Sequence, residues 1–150
     1  MQISFRDIDV HNFRTCVKLS VRKDQPFVAS NAYSIAESKI FPYWITKAIY
    51  ADDEMVGFAM YALFYEKREL YLCRFMVDQR YQGKGYGKAA LDLLKDIALK
   101  DGGVDYIELS TAPDNSNGIR IYEKFGFVDQ HRMDDGEEVF VLDLKQEKTA

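Results

Sequence analysis

The sequence predicts an α+β (mixed α/β) fold, a sheet with helices packed on both faces. Three observations lead to this prediction. Three strand-like segments follow one another in the first half of the chain and are joined by tight turns. Two segments with helical periodicity in the second half end at glycines. A strand pair around "MDDGEE" closes the chain and is typical of a hairpin.

The first half is expected to contain a short strand, two helices and an antiparallel meander. Strand propensity predicts the first element at Ile3–Phe5, and Pro26 and Pro42 separate the helical segments from their neighbours. The helices are expected at Val10–Leu19 and Ser30–Glu37, and the meander at Trp44–Ala51, Met55–Phe64 and Leu70–Val77.

The second half is expected to alternate between helices and strands. Ala90, Leu91, Leu94, Ile97 and Ala98 recur at helical spacing. We expect this helix to end at Asp101–Gly103, a strand at Tyr106–Thr111, a helix capped by Asn115 or Asn117 and ended by Gly126, and strands at Phe127–Arg132 and Val139–Leu144.

Length and composition predict a single globular domain spanning residues 1–150. The net charge of −4 gives no electrostatic basis for binding nucleic acid or an anionic membrane, and it suits a cationic partner better. Cys16 and Cys73 have no zinc-site spacing, so we expect no bound metal. We also expect both thiols to be free and the protein to be cytoplasmic. The polar tail "KQEKTA" is expected to be frayed.

The stretch "YQGKGYGKAAL", Tyr81–Leu91, places three glycines at the start of a helical pattern. Backbone amides at such a junction bind anions, because the helix dipole favours negative charge and glycine lets phosphate approach closely. A Walker A loop is excluded, since Gln82 occupies its first glycine position and Ala89 follows Lys88. A dinucleotide fingerprint is also excluded, because Gly83, Gly85 and Gly87 are evenly spaced.

"QGKGYG", Gln82–Gly87, resembles the Gln/Arg-x-x-Gly-x-Gly/Ala motif of the GCN5-related N-acetyltransferase (GNAT) family. The resemblance implies a mostly antiparallel, twisted sheet of about seven strands, splayed between strands 4 and 5. It also implies that the loop binds the pyrophosphate of acetyl-coenzyme A. The implied cosubstrate-binding residues in the loop are Gln82, Gly83, Lys84, Gly85, Tyr86, Gly87 and Lys88, with the two lysines as helpers for phosphate charge.

Two flanking segments extend this resemblance over almost the whole chain. "LYLCRFMVDQRYQGKGYG" is similar to the family's fourth strand, and Phe75, Met76 and Val77 are thereby implied to hold the pantetheine arm. "NSNGIRIYEKFGF" resembles the second family signature, which implies a cosubstrate role for Asn115. Gly118 replaces the usual alanine, a departure expected to affect helix stability rather than chemistry.

Acetyl transfer to an amine needs a neutral nucleophile, stabilisation of an oxyanion and a proton for the leaving thiolate. The resemblance assigns the proton to Tyr122, and a phenol suits that role because it is protonated at neutral pH. We expect a backbone amide near Val77 to stabilise the oxyanion. Cys73 occupies a place where similar polyamine acetyltransferases often carry an acid, so Glu37, Glu69, Glu108 or water stay open as the base.

The acceptor is predicted from "MVGFAMYALF", Met55–Phe64, which resembles bacterial spermine/spermidine (diamine) N-acetyltransferases. A polyamine is polycationic and favours carboxylates with aromatic walls. The candidate substrate-binding residues are Tyr33, Glu37, Asp52 and Asp53, and further acids are available at Asp134, Asp135 and Glu138. Another amine, or a coenzyme A sensor without turnover, stays an alternative. Apolar closing strands would permit a homodimer.

Overall fold

The computed structural model describes residues 2–24, 26 and 29–148. Within these residues the chain forms seven strands and five α-helices, with 3₁₀ turns at Tyr65–Lys67 and Gln79–Tyr81. In chain order the elements are β1 (Ile3–Arg6), α1 (Phe13–Lys18), α2 (Asn31–Ile40), β2 (Ile45–Ala51), β3 (Glu54–Phe64), β4 (Glu69–Val77), α3 (Tyr86–Asp101), β5 (Tyr106–Thr111), α4 (Ser116–Phe125), β6 (Val128–Asp134), β7 (Glu137–Asp143) and α5 (Lys145–Lys148).

The strands form one seven-stranded sheet in the order β1-β2-β3-β4-β5-β7-β6. The pairs β1/β2, β2/β3, β5/β7 and β6/β7 are antiparallel, whereas β4 and β5 are parallel. The parallel pair arises because α3 connects β4 to β5, and a crossover helix returns the chain in the same direction. The predicted α+β class with a mostly antiparallel seven-stranded sheet is confirmed.

The parallel ladder between β4 and β5 is short. Only Glu69–Tyr71 of the nine-residue β4 pair with β5, in register with Tyr106–Glu108. The rest of β4, from Leu72 to Val77, continues without this partner. The early end of the ladder agrees with the splay expected between strands 4 and 5.

The chain divides into two compact units, of which the first comprises Met1–Ala62 and Cys73–Leu93. Its core contains Ile49 and Phe58 on β2 and β3, both fully buried. Gly57 on β3 lies against the backbone of β4, since a Cβ built there would be 2.3 Å from the Met76 carbonyl oxygen. Glycine is therefore required at residue 57 for β4 to approach this closely.

The second unit comprises Leu63–Leu72 and Leu94–Ala150. Its strand β5 alternates regularly: Ile107 and Leu109 are buried, whereas Glu108 and Ser110 are half-buried. Successive side chains of a strand point to opposite faces, so β5 presents apolar side chains to one face of the sheet and polar side chains to the other.

Several predicted boundaries were wrong by a few residues. The first helix begins at Phe13 rather than Val10, because the Asp9 carboxylate accepts hydrogen bonds from the amides of His11 (2.8 Å) and Asn12 (3.2 Å) in a preceding turn. The second helix runs past Glu37 to Ile40. Residues 145–148 of the tail, expected to fray, form α5, where Glu147 forms an ion pair with Lys95 at 2.5 Å. Residues 149 and 150 lie outside the described residues.

In the described residues there is no helix with the length and apolar character needed to span a membrane.

Candidate functional site

The glycine loop connects the 3₁₀ turn after β4 to α3, and its backbone is left-handed at two positions. Gly83 has φ of 78° and Gly85 has φ of 85°, a region that favours glycine. A Cβ at either position would meet no atom within 4 Å, so conformation rather than space requires glycine there. Gly87 differs, since it lies in the first turn of α3 and its Cβ would make an ordinary 3.8 Å contact with Val77.

The loop leads directly into the amino end of α3, a helix of 16 residues. A hydrogen bond from the Ala89 amide to the Gly85 carbonyl oxygen, at 3.1 Å, joins the first turn of this helix to the loop. The first turn contains no acidic side chain that would occupy the positive end of the helix dipole. First-turn amides without intrahelical acceptors, reached through glycines, fit a pyrophosphate group.

Asp78 fixes the approach to this loop. The residue is 2% exposed, and its carboxylate accepts hydrogen bonds from the Ser20 amide (2.8 Å), the Arg80 amide (3.1 Å) and Arg80 Nε (2.7 Å). Burial alone would raise the pKa of Asp78, but the hydrogen bonds from Arg80 and Ser20 outweigh it and lower the pKa below 3.8. Asp78 therefore stays ionised and organises the turn, a role that sequence reasoning missed.

Gln82 joins the loop to the end of β4. Its side-chain Nε2 donates to the Val77 carbonyl oxygen at 2.9 Å. Met76 is buried and Phe75 is half-buried, packed against the core that contains Ile49 and Ala90. The predicted cosubstrate residues Phe75, Met76, Val77 and Gln82 thus lie on a strand end and loop held together by direct contacts.

The two lysines of the loop already have partners. Lys84 Nζ lies 5.8 Å from the centre of the Tyr81 ring, a cation-π distance. Lys88 forms an ion pair with Asp92 one helical turn later, at 2.8 Å. Both pairs are exposed and weak, so they leave either lysine able to turn towards a phosphate. Tyr86 is the first residue of α3, with its ring centre 6.5 Å from that of Tyr81.

The predicted acceptor-binding residues of the first unit are in two places. Glu37 on α2 forms an ion pair with Arg74 Nη2 at 3.0 Å, and Arg74 Nη1 lies 2.6 Å from Cys73 Sγ. The structure thus brings Glu37, Arg74 and Cys73 together, and Arg74 neutralises the carboxylate that was expected to attract a cation. Tyr33, on the same helix, is 61% exposed.

Asp52 and Asp53 occupy the turn between β2 and β3. The Asp52 carboxylate accepts from the Gln2 amide at 3.1 Å, and Asp52 itself has a positive φ of 53°. Asp53 forms an exposed ion pair with Arg6 at 3.2 Å. These contacts are those of turn residues.

In the second unit, Tyr122 lies on α4 and contacts Phe127 edge to face, with ring centres 5.8 Å apart. Burial raises the pKa of the Tyr122 hydroxyl to about 12. Tyr122 is therefore fully protonated at physiological pH and can act as a proton donor.

Asn115, one of the two predicted N-cap candidates, is the N-cap of α4. Its Oδ1 accepts from the Gly118 amide at 3.2 Å, and its Nδ2 donates to Thr111 Oγ1 at 2.9 Å. A Cβ on Gly118 would lie 2.4 Å from Asn115 Nδ2. The glycine that replaces the family's usual alanine therefore accommodates this cap, a contact that the sequence did not reveal.

Comparisons with known proteins agree with this geometry. Residues 8–127 match the family model described as the acetyltransferase (GNAT) family. The spermine/spermidine N(1)-acetyltransferase of Bacillus subtilis strain 168 is 33% identical over 152 residues, covering 96% of this chain and all of the relative. A probable spermine N(1)-acetyltransferase from Bacillus subtilis subsp. natto is 32% identical with the same coverage.

Solved structures share the fold. The spermidine N-acetyltransferase from Vibrio cholerae, in complex with coenzyme A and spermine, superposes with a TM-score of 0.74 at 15% identity, covering 96% of both chains. The PaiA N-acetyltransferase from Thermoplasma acidophilum, in complex with coenzyme A, gives 0.72 at 19% identity, covering 95% of this chain and 99% of that one.

The chain therefore belongs to the GNAT acetyltransferase family, as the loop motif predicted. It is an acyltransferase whose cosubstrate is acetyl-coenzyme A, and the glycine loop and the amino end of α3 fit that molecule's pyrophosphate.

Proposed function

We propose that this enzyme transfers the acetyl group of acetyl-coenzyme A to an amine of spermine or spermidine, by direct attack without a covalent enzyme intermediate. The observation that carries the proposal is the full-length similarity, at 33% identity, to a relative named for that activity. The phosphate-binding geometry of the loop supports the donor, and the net charge of −4 suits a polycationic acceptor.

The donor side of the reaction would be served mainly by backbone. We propose that the amides of Gly83 to Lys88 bind the pyrophosphate and that residues 75–77 hold the pantetheine arm. Acetyl-coenzyme A supplies a thioester that reacts with the amine and a thiol that leaves. An amide at the end of β4, near Val77, would stabilise the oxygen on which charge develops.

Tyr122 is the proposed proton donor to the departing thiolate. Because its pKa is raised to about 12, the hydroxyl carries its proton at neutral pH. Its side-chain hydroxyl has no hydrogen-bond acceptor among the described residues, which leaves the proton available for transfer.

The amine must lose a proton before it attacks the thioester, and the candidates to accept that proton are Glu37, Glu69, Glu108 and water. Glu37 forms an ion pair with Arg74 at 3.0 Å and Glu108 forms one with Arg132 at 2.8 Å, so each of these carboxylates is already neutralised by a guanidinium. We favour deprotonation of the amine through water, because an alkylamine needs only to lose its proton to bulk solvent before attack.

Several further expectations belong to this proposal. We propose that residues 1–150 work as one acetyltransferase domain, since the family model runs through both compact units. We also propose a cytoplasmic location, which the free thiols of Cys16 and Cys73 support. A homodimer, and the absence of nucleic acid and membrane as partners, stay predictions that light scattering and binding assays would test.

An amine panel with thiol detection tests the acceptor. Spermine and spermidine should release coenzyme A thiol at least about tenfold faster, per kcat/KM, than a single amino acid, a peptide amino terminus or an aminoglycoside. Equal rates across the panel would refute the polyamine assignment. Binding of acetyl-coenzyme A without thiol release, whatever the amine, would instead indicate a sensor.

A further inference from the structure

A group of acidic side chains lies on the sheet face of the second unit from which Glu108 and Ser110 project. The proposed mechanism does not use them. Glu69 and Tyr71 alternate along β4, and Glu108 and Ser110 alternate along β5. The register pairs Tyr71 with Glu108, which places these four side chains on the same face of the sheet. We call this group, together with Arg132 and Glu137, the carboxylate strip.

Hydrogen bonds connect the members of the strip other than Glu69. The hydroxyl groups of Tyr71 and Ser110 lie 3.1 Å apart, and Ser110 donates to Glu137 Oε1 at 2.8 Å. Arg132 Nη2 donates to Glu108 Oε1 at 2.8 Å, and the Glu108 side chain is 15% exposed. The strip thus contains one guanidinium, that of Arg132, and the carboxylates of Glu69, Glu108 and Glu137.

Glu69 is the exception within the strip, since its carboxylate lacks a partner. The residue is 8% exposed, yet in the described parts of the chain its side chain makes no hydrogen bond and no ion pair. Its pKa is raised above 4.5, first by burial and second by the charge of Glu108, against smaller opposing effects of Lys67 and Arg132. The Glu69 oxygens are not among the fully enclosed, unpartnered atoms of the described residues, so a cation can reach them and relieve the repulsion from Glu108.

A cation of the right chemistry would compensate Glu69. An ammonium group has up to three N–H donors, so it can bind Glu69 and the second oxygen of Glu108 together. Tyr71 projects from the same face by its register, so its ring is placed to contact the methylene chain between the nitrogens of a polyamine. An anion is excluded by the negative charge of the strip.

We propose that the carboxylate strip binds an ammonium group of the polyamine that does not react, with Glu69 as its principal partner. This inference rests on the proposed function and adds to it the residues that distinguish a polyamine from a simple amine. It adds Glu69 and Glu108 to Glu37, Asp52 and Asp53 as acidic contacts proposed for the polyamine, and Glu37 and Glu108 each form an ion pair with an arginine.

Calorimetric titration of spermine into the full-length protein, with coenzyme A present and near neutral pH, tests the strip. Glu69→Gln keeps the shape and removes the charge, and it should weaken spermine binding by about tenfold or more, the loss expected for one charge-assisted hydrogen bond. Glu66→Gln is the matched control, since Glu66 is exposed in the neighbouring 3₁₀ turn, and it should change binding by less than about twofold.

Kinetics with two acceptors separate a distal contact from a general charge effect. Glu69→Gln should raise the KM for spermine by about tenfold and that for propylamine, which has only the reacting nitrogen, by less than about twofold. Equal changes in KM for the two amines would contradict the proposed ammonium site. A Glu69→Gln variant with the same KM values as Glu66→Gln would contradict it as well.

The outcomes for the strip and for the proposed function are distinguishable, because calorimetry needs no turnover. Spermine turnover with unchanged affinity in Glu69→Gln would leave the function standing and reject the strip. If spermine binds in a manner that depends on Glu69 but the protein shows no turnover, the strip is supported and the proposed function is rejected. Titration with Mn²⁺ closes the remaining case, since displacement of spermine by micromolar Mn²⁺ would assign Glu69 to a metal and reject an ammonium site.

Discussion

The glycine loop and the carboxylate strip begin at opposite ends of β4 and recognise charge by different means. The loop, after Val77, offers backbone amides and a helix dipole to an anion. The strip, at Glu69 and Tyr71, offers side-chain carboxylates to a cation. A backbone site depends on conformation and survives most side-chain changes, whereas a side-chain site can be removed by one neutral substitution.

Neither region provides the proton for the leaving thiol, and Tyr122→Phe separates that step from binding. We expect kcat to fall about 100-fold or more, because general acid catalysis contributes on that order, with KM for acetyl-coenzyme A within about twofold. Since the pKa of Tyr122 is about 12, the wild-type rate should not decline with rising pH until well above pH 10. Steady-state kinetics over pH check both points, and unchanged kcat in Tyr122→Phe would remove Tyr122 from the mechanism.

Gly57→Ala tests whether the loop region depends on the position of β4. The added Cβ would overlap the Met76 carbonyl oxygen, so the strands must move apart, and we expect the free energy of unfolding to fall by about 2–3 kcal/mol. Acetyl-coenzyme A binding should weaken as well, because residues 75–77 shift. Urea unfolding and calorimetry measure the two effects. Wild-type values in both would show that β4 tolerates the change and does not govern the site.

Gly85→Ala tests the backbone character of the loop, with Gly87→Ala as its control. Alanine at a φ of 85° is strained by about 1–2 kcal/mol, so acetyl-coenzyme A binding should weaken about tenfold. Gly87 is helical and has room for a methyl group, so Gly87→Ala should leave the fold intact or stabilise it slightly. If both variants bind acetyl-coenzyme A as the wild type does, the loop is not the phosphate site.

Glu69→Gln should also change the pH dependence of stability. The folded-state pKa of Glu69 is raised, so the native state binds a proton more tightly than the unfolded state, and wild-type stability falls as pH rises from about 4.5 through the folded-state pKa. Glutamine lacks this titration. The Tm difference between Glu69→Gln and wild type should therefore increase over that range, by a few degrees at most. A constant difference would show that Glu69 carries no penalty.

Gly118→Ala has the smallest expected effect. Alanine gains up to about 1 kcal/mol of helix propensity, but its Cβ would displace the Asn115 side chain and cost a similar amount through loss of the cap. We expect little net change in the single variant and a stabilising effect of the same substitution in an Asn115→Ala background. Denaturant unfolding of the double-mutant cycle measures this coupling, and additive effects would contradict it.

The features that the sequence determined are local. Glycine at residues 83 and 85, the cap at Asn115 and the alternation of Tyr106–Thr111 each follow from a few consecutive residues, because backbone conformation, capping and strand periodicity act over short distances. The same holds for the family motif, which gave the class of enzyme and its acetyl donor. Boundaries at Val10 and Glu37 were less accurate, since turn hydrogen bonds and packing set the ends of helices.

Tertiary structure alone decided which charges are available to a ligand. Glu37 and Glu69 are equivalent in the sequence, yet one forms an ion pair with Arg74, 37 positions later, and the other is buried without a partner. The strip likewise depends on the parallel register of β4 with β5, which pairs residues 37 positions apart in the chain, such as Tyr71 and Glu108. Electrostatic partners are set by distance in space, and a sequence without its fold does not contain those distances.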